Sequence, residues 1–274
     1  PDNQGVGAAM VTGYRYALGL RSDIVIKVDA DGQMDLGQLP RLIEPILAGT
    51  ADYTKGNRFS TGADLEGMPW LRVFGNAVLS FMTKLSSGAW GVFDPCNGYT
   101  AIHRTALEGL DLERLHRRYF FESSMLVVLT VMRAVIEDVP IPARYRTEKS
   151  HLSIPRVILQ FPWLHLRYGA WRFLKRYMLH DFNACSLLVL LGLPVFLFGA
   201  IDGVALWIHS NVTNTFAATG TIMIPTLATI LGFQMLLHAL ILDVGGVPTR
   251  PLQLSTKGRG LDSSPPPPGQ NPGL

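Results

Sequence analysis

The chain of 274 residues has little cysteine, two residues in all, and little charge over one long stretch. Cys96 lies in a polar region and Cys185 in an apolar one, so neither a disulfide framework nor a cysteine metal cluster is indicated. Both are expected to be reduced, which fits a soluble part facing the cytoplasm. The histidines at 103, 116, 151, 165, 180, 209 and 238 lack metal-ligand spacing, and neither a P-loop nor a Ser-His-Asp pattern is present. A formal net charge of +3 is too small to argue for nucleic acid. No internal repeat is visible.

Composition divides what is present. Residues 1 to about 150 carry most of the carboxylates, whereas residues 184–243 are almost free of charge. Two apolar runs, residues 185–207 and 219–242, are each long enough to cross about 30 Å of hydrocarbon. The segment between them has no Lys or Arg while basic residues flank the outer ends, so the positive-inside rule predicts a hairpin with both ends in the cytoplasm. Asp202, near the end of the first run, has no functional reading. From Arg144 to Arg176 there are eight basic residues and one acid, Glu148. Trp163, Tyr168, Trp171, Phe173 and Tyr177 interleave with arginines there, the composition of a helix lying in a membrane interface. An ordinary solvated face is the plainer alternative. The expected organisation is a domain over residues 1–152, an interfacial segment over 153–183, two membrane helices within 184–244 and a disordered tail over 245–274, where four successive prolines fall.

Within the first 152 residues the hydrophobic periodicity alternates helices and strands. Helices are expected from Gly5 onward, over 36–47, 70–85 and 120–133, and strands over 23–28, 52–59, 99–103 and 135–141. That alternation predicts a mostly parallel sheet with helices on both faces. The run Ile24, Val25, Ile26 ends abruptly in Asp29-Ala-Asp31-Gly32-Gln33, so two carboxylates stand at the C-terminal edge of a strand, where open α/β sheets bind ligands. Residues two apart in extended chain point the same way, and two carboxylates suit a hard cation such as Mg²⁺ or Mn²⁺. Asp94-Pro95 reads equally as a turn opening. Glu122 starts a helix, where the dipole stabilises a carboxylate whatever its duty.

Taken in order, Asn3-x-Gly5-x-Gly7-Ala8, Asp29-x-Asp31-x-Gln33, Gly56-Asn57-Arg58, Asp94-x-x-x-Gly98-Tyr99, Phe121-Glu122 and Glu137-Asp138-Val139-Pro140-Ile141 leading to Arg146 resemble the family-2 glycosyltransferases, in their dolichyl-phosphate mannose synthase-like branch. The resemblance runs from Asn3 to about residue 152. It implies a Rossmann-like α/β domain of the glycosyltransferase A type, followed here by an interfacial helix and a two-helix transmembrane hairpin. The family's first strands precede the position of Asn3, which implies a piece of a longer protein.

The resemblance further implies an inverting transfer of one hexose from a nucleotide-diphosphate sugar, of the GDP-mannose or UDP-glucose type, to a polyprenyl-phosphate lipid at the cytoplasmic membrane face. Asp29 and Asp31 would hold Mg²⁺ or Mn²⁺. Asp29, Gln33, Arg58, Arg72 and Arg146 would contact the nucleotide sugar and its phosphates, and guanidinium forks suit phosphate because they bind bidentately and keep their charge. A surface salt bridge is the alternative for each arginine. Asp94 and Glu122 would orient or deprotonate the acceptor; a hydroxyl needs a base, whereas a phosphate anion needs positioning. Gln160 is followed by Phe-Pro-Trp, so the Gln-x-x-Arg-Trp motif of processive synthases is absent and single-sugar transfer is favoured. The rival expectations are transfer to another lipid or hydroxyl acceptor, and a catalytically incomplete membrane scaffold.

Overall fold

The computed structural model describes residues 3–30, 32, 34–59, 70–142 and 154–254. They form two compact units, one running through Tyr168 and taking back the segment from Pro248, the other Gly169–Val247.

The first unit is built on four short strands, β1 (Ile24–Lys27), β2 (Tyr53–Asn57), β3 (Thr100–His103) and β4 (Ile136–Pro140), in the order β1-β3-β2-β4. β3 runs antiparallel to both β1 and β2, and only β2 and β4 are parallel. The sheet is therefore mixed, which corrects the expectation of a mostly parallel one. The cause is the route between β2 and β3. Helix α3 (Trp70–Ser87) and the loop after it bring the chain back to the end of the sheet from which β2 left, so Thr100 starts β3 opposite Lys55. A crossover to the far end, which a parallel strand needs, is not made.

Each face of the sheet is covered as strand alternation requires. Ile24, Ile26, Ala101 and Val139 share one face with Leu42 and Ile46 of α2 (Leu39–Leu47) in a single apolar cluster. The other face meets α5 (Phe121–Val131), which is buried nearly all round, as a helix without a polar face must be. Helix α1 (Val6–Gly19) starts where Gly5 and Gly7 press on the backbone of 116–118. A Cβ on Gly7 would overlap the His116 carbonyl, Gly5 has φ +95°, and the Ala8 amide donates to the Arg117 carbonyl at 3.1 Å. The small-residue start of this helix thus permits close packing on a loop rather than on the sheet. A short helix α4 (Arg104–Glu108) follows β3, capped by His103, whose Nδ1 accepts from the Thr105 amide at 3.2 Å.

The tail does not begin where composition placed it. Asp52, fully buried, accepts hydrogen bonds from the backbone of Val135, Leu252 and Gln253, and the Gln253 amide donates to the carbonyls of Ile46 and Ala51. A buried carboxylate requires such partners, and they hold the chain as far as residue 254. Residues 255–274 lie outside the described residues.

α6 (Ile154–Phe173) is a helix within the segment where an interfacial one was expected. Phe161 and His165 meet the Phe120 ring edge-on and Tyr168 meets it tilted, at ring separations of 5.5, 4.8 and 5.3 Å, while Trp163 and Leu166 stay exposed. Part of its aromatic content therefore serves packing within the protein. Seven residues of π-helix (Leu174–His180) continue it.

In the second unit, α7 (Ala184–Thr213) and α8 (Thr219–Gly245) are long and apolar enough to cross a membrane. Asn183 and Ser186 form a capping box at the start of α7. The buried residues Cys185, Gly192 and Gly199 recur every seventh position, as do Pro225, Gly232 and Ala239 on α8. This is a small-residue seam that lets two apolar helices approach closely. At its end Arg172 grips Asp243 through two bonds of 2.9 and 3.0 Å, Tyr177 donates to the same carboxylate, and Arg176 donates to the Gly246 carbonyl at 2.7 Å.

Candidate active site

The strand register draws a polar row across the sheet. Lys27 on β1 pairs with Thr100, Thr100 with Lys55, and Lys55 with Asp138. Cross-strand partners share a face, so these four side chains stand together on the side of α5. Both lysines are buried, Lys27 at 5% exposure and Lys55 at 0%. Such groups are kept inside only with partners.

Lys27 has two. Its ammonium lies 2.9 Å from Asp29 and 3.2 Å from Glu122. Lys55 donates to the Asn97 carbonyl, and burial pulls its ammonium below the ordinary value while the nearby carboxylates of Glu122 and Asp94 oppose that. Asp29 stands just beyond β1 opposite Gly98, where a Cβ would strike both the Lys27 ammonium and the Asp29 carboxylate. Gly98 is therefore needed for close approach. The neighbouring motif closes on the Gly-Asn-Arg segment: Asn97 donates to the Gly56 carbonyl at 2.7 Å, and Gly56 donates to Tyr99 at 2.9 Å.

Arg58 and Asp94 meet across 36 residues of sequence. The guanidinium donates to both carboxylate oxygens, at 2.7 and 3.1 Å, and Asp94 is 1% exposed while the Arg58 side chain is 33% exposed. Asp94 does open a turn at Pro95 and Cys96, its carbonyl accepting from the Asn97 amide at 3.4 Å, and its buried side chain also holds a guanidinium. Beside this pair is a cavity of about 270 Å³ whose walls come from α3 and the loop ahead of β3, including Phe59, Ala77, Phe81, Phe93 and Pro95. It is a mostly apolar slot whose wall also holds Lys84 and Asp94, the partner of Arg58.

Asp138 carries a signal that the motif reading passed over. One oxygen accepts from the Phe93 amide at 2.8 Å, which fixes the loop bearing Asp94; the other is buried with no hydrogen-bond partner among the described residues. Burial raises its pKa to about 6. An acid inside the apolar strand 135–141 was the available clue, as was the Lys at the end of the run 23–28.

Asp29, Arg58, Asp94 and Glu122 fall in one neighbourhood linked by Lys27 and Lys55. Asp31, Gln33 and Arg146 lie outside the described residues, and so does the Arg72 side chain, although its backbone is on α3. Among the described residues no group of three His, Cys, Asp or Glu forms a metal cage. The half-open Asp29 carboxylate at the strand end offers a hard oxygen donor, of the kind that Mg²⁺ or Mn²⁺ takes.

Residues 1–111 match the family described as Glycosyl transferase family 2. Among curated relatives, the UDP-N-acetylglucosamine–dolichyl-phosphate N-acetylglucosaminyltransferase of Methanococcus voltae is 33% identical over 160 residues, 58% of this chain and 63% of that one. The polyprenol monophosphomannose synthase of Mycolicibacterium smegmatis is 30% identical over 119 residues, 43% of this chain and 44% of that one. The undecaprenyl-phosphate mannosyltransferase of Micrococcus luteus is 30% identical over 138 residues, 50% of this chain and 56% of that one. The chain spans less than two thirds of the length of each of these relatives. The mixed α/β sheet, its polar edge and the motif order agree with this match of residues 1–111 to glycosyl transferase family 2.

Proposed function

We propose that the protein transfers a single hexose from a nucleotide-diphosphate sugar to a polyprenyl phosphate, with its sheet domain on the cytoplasmic side of a membrane crossed by α7 and α8. The observation that carries this reading is the Arg58 guanidinium, fixed by Asp94, which itself lines a mostly apolar cavity. An acceptor with an anionic phosphate head and an isoprenoid body matches both parts. The names of the three relatives share a polyprenyl-phosphate or polyprenol-phosphate lipid, which supports the same acceptor class.

In the reaction an acceptor phosphate oxygen forms the bond to the anomeric carbon while the bond to the nucleoside diphosphate breaks on the opposite face. Asp29 and Asp31 would hold Mg²⁺ or Mn²⁺, which supplies positive charge to the leaving diphosphate. Lys27 keeps the Asp29 carboxylate at the strand edge and neutralises part of the acid cluster with Glu122. Arg58 orients the acceptor phosphate, an interaction that strengthens where water is excluded. Both Asp94 and Glu122 are committed to cations, so neither is a free base. That favours an acceptor already ionised over a hydroxyl.

The test is glycolipid formation by the full-length protein in membranes supplied with polyprenyl phosphate. Asp31→Ala should abolish transfer, and Glu122→Gln should retain it within about tenfold, since a phosphate acceptor needs no general base worth 10²–10⁴. Complete loss in Glu122→Gln would point to a hydroxyl acceptor. No transfer by the folded wild type from any common donor would leave the membrane scaffold as the reading.

A further inference from the structure

A second cation-rich cavity lies away from the polar row of the sheet. The loop between α4 and α5 and the helix α6 enclose an open space of about 370 Å³ lined by Arg114, His116, Arg117, Arg118, Arg167 and Tyr168. The one acid in its wall, Glu113, is ion-paired with Arg15. Four arginines therefore line one small volume. The loop that carries three of them is rigidly placed. Gly5 and Gly7 press on its backbone, the Tyr168 hydroxyl donates to the Arg114 carbonyl at 2.9 Å, and the His116 amide donates to Ser124 at 2.9 Å.

Arg117, Arg118 and Arg167, held near one another, repel, and an anion bound between them relieves that repulsion. His116 registers the local field. Its Nδ1 accepts from the Arg118 amide at 3.2 Å, and burial first, then the charges of Arg118 and Arg167, hold it below its ordinary value as a neutral acceptor. Bidentate guanidinium forks are matched to the tetrahedral oxygens of a phosphate.

The surroundings choose between a soluble phosphate and a lipid one. Trp163 lies one helical turn before Arg167 on the same side of α6 and is 64% exposed, Leu166 is 64% exposed, and Tyr119 beside Arg118 is 58% exposed. A soluble anion has no use for that apolar border, whereas a phospholipid has an acyl region to lay on it. We propose that the Arg117, Arg118 and Arg167 cavity binds the phosphate of an anionic membrane lipid headgroup, separate from the sugar-transfer site. This site does not depend on transferase activity, so its failure would leave the functional reading above untouched.

The test uses the full chain purified in a neutral detergent, with phosphatidylglycerol, phosphatidylcholine and inorganic phosphate as probes and native mass spectrometry as readout. Wild type should retain phosphatidylglycerol in preference to phosphatidylcholine. The triple variant Arg117→Gln, Arg118→Gln, Arg167→Gln should lose roughly a hundredfold in that preference, three arginines at the strength each has near an anionic surface. A second triple variant, Arg41→Gln, Arg133→Gln, Arg250→Gln, whose changes fall on exposed residues elsewhere, removes the same three charges and should behave as wild type. Undiminished retention by the first triple variant, or equal loss in the control, would overturn the proposal. Displacement of the lipid by millimolar inorganic phosphate alone would overturn its lipid half and assign the cavity to a soluble phosphoryl group.

Discussion

The two units of this chain bury charge in opposite ways. In the sheet unit Lys27, Lys55, Asp52 and Asp94 are interior, and three of them bind carboxylates, carbonyls or guanidinium around a strand edge where a ligand can enter. The helical unit packs its two long helices through glycine, alanine and proline, and it buries charge only where Arg172, Arg176, Tyr177 and Asp243 meet. Interior charge in the first unit is arranged around an opening, and in the second it closes on itself. A buried cation is therefore informative about function only through what it faces.

The contrast breaks first at Asp243. Removing it leaves the buried Arg172 guanidinium without its carboxylate, so Asp243→Leu should destabilise the helical unit by about 3–5 kcal/mol. Adding Arg172→Met should recover most of that, because a pair replaced together leaves less uncompensated charge. Thermal unfolding in detergent followed by circular dichroism measures both, and equal losses in single and double variants would show that the cluster is not held by charge. Next in size is the seam. A Cβ on Gly232 would stand 2.6 Å from Phe196 Cα, whereas on Gly203 it meets only a Pro225 carbon at 3.7 Å. Gly232→Leu should therefore cost about 1–3 kcal/mol by forcing the helices apart, and Gly203→Ala well under that in the same assay.

Much of this was legible locally. Periodicity placed β1, α2, β2, α3, β3, α5, β4 and both long helices to within a few residues, because each is decided by side chains near in sequence. The direction of β3 was not, since a strand's own composition is the same whichever way it pairs; the return loop after α3 decides it. At the site, Asp29 was readable from a strand ending in carboxylates. The links Lys27 to Glu122 and Arg58 to Asp94 join residues 95 and 36 positions apart, and only the register brings them together. Lys27, Lys55 and Asp138 were given no role, the last even though it stands in the motif Glu137-Asp138-Val139, because a charged residue within an apolar run looks like a solvent-facing alternation until its row across the sheet is known.

The sheet unit's own dependence on close approach is tested at Gly98. With Gly98→Ala the new methyl displaces Lys27 and Asp29 while the strands stay paired, so glycolipid formation should fall by about tenfold or more, the scale at which small misplacements act. Gly13→Ala is the counterpart. Nothing lies within 4 Å of its Cβ, and alanine in a helix interior is favoured over glycine by about 1 kcal/mol, so stability should rise and activity stay level. Equal activity loss at both positions would show that the strand edge is not the sensitive place.

The smallest effect expected is a pH dependence that two residues of the sheet unit hide from each other. His165 is 4% exposed, accepts or donates at Ser86 Oγ across 2.8 Å, and burial lowers its pKa from 6.5 to about 4. Its contribution to stability is complete above pH 6.5 and is lost as the pH falls through about 4, because the unfolded chain takes up the proton first. Asp138 works the other way. Burial raises its pKa from 3.8 to about 6, so its contribution is complete below pH 3.8 and is lost as the pH rises through about 6. Between pH 4 and 6 the two oppose, and the wild-type unfolding temperature should be nearly flat in their share of the window. Asp138→Asn keeps an acceptor for the Phe93 amide and uncovers His165, so its unfolding temperature should drop on acidification by about 2–4 °C for each kcal/mol lost. His165→Gln uncovers Asp138 and should show the reverse slope. Parallel curves for wild type and both variants would mean that these two groups titrate alike in folded and unfolded chains, and that only the ligated charges of the sheet edge set the unit's response to acid.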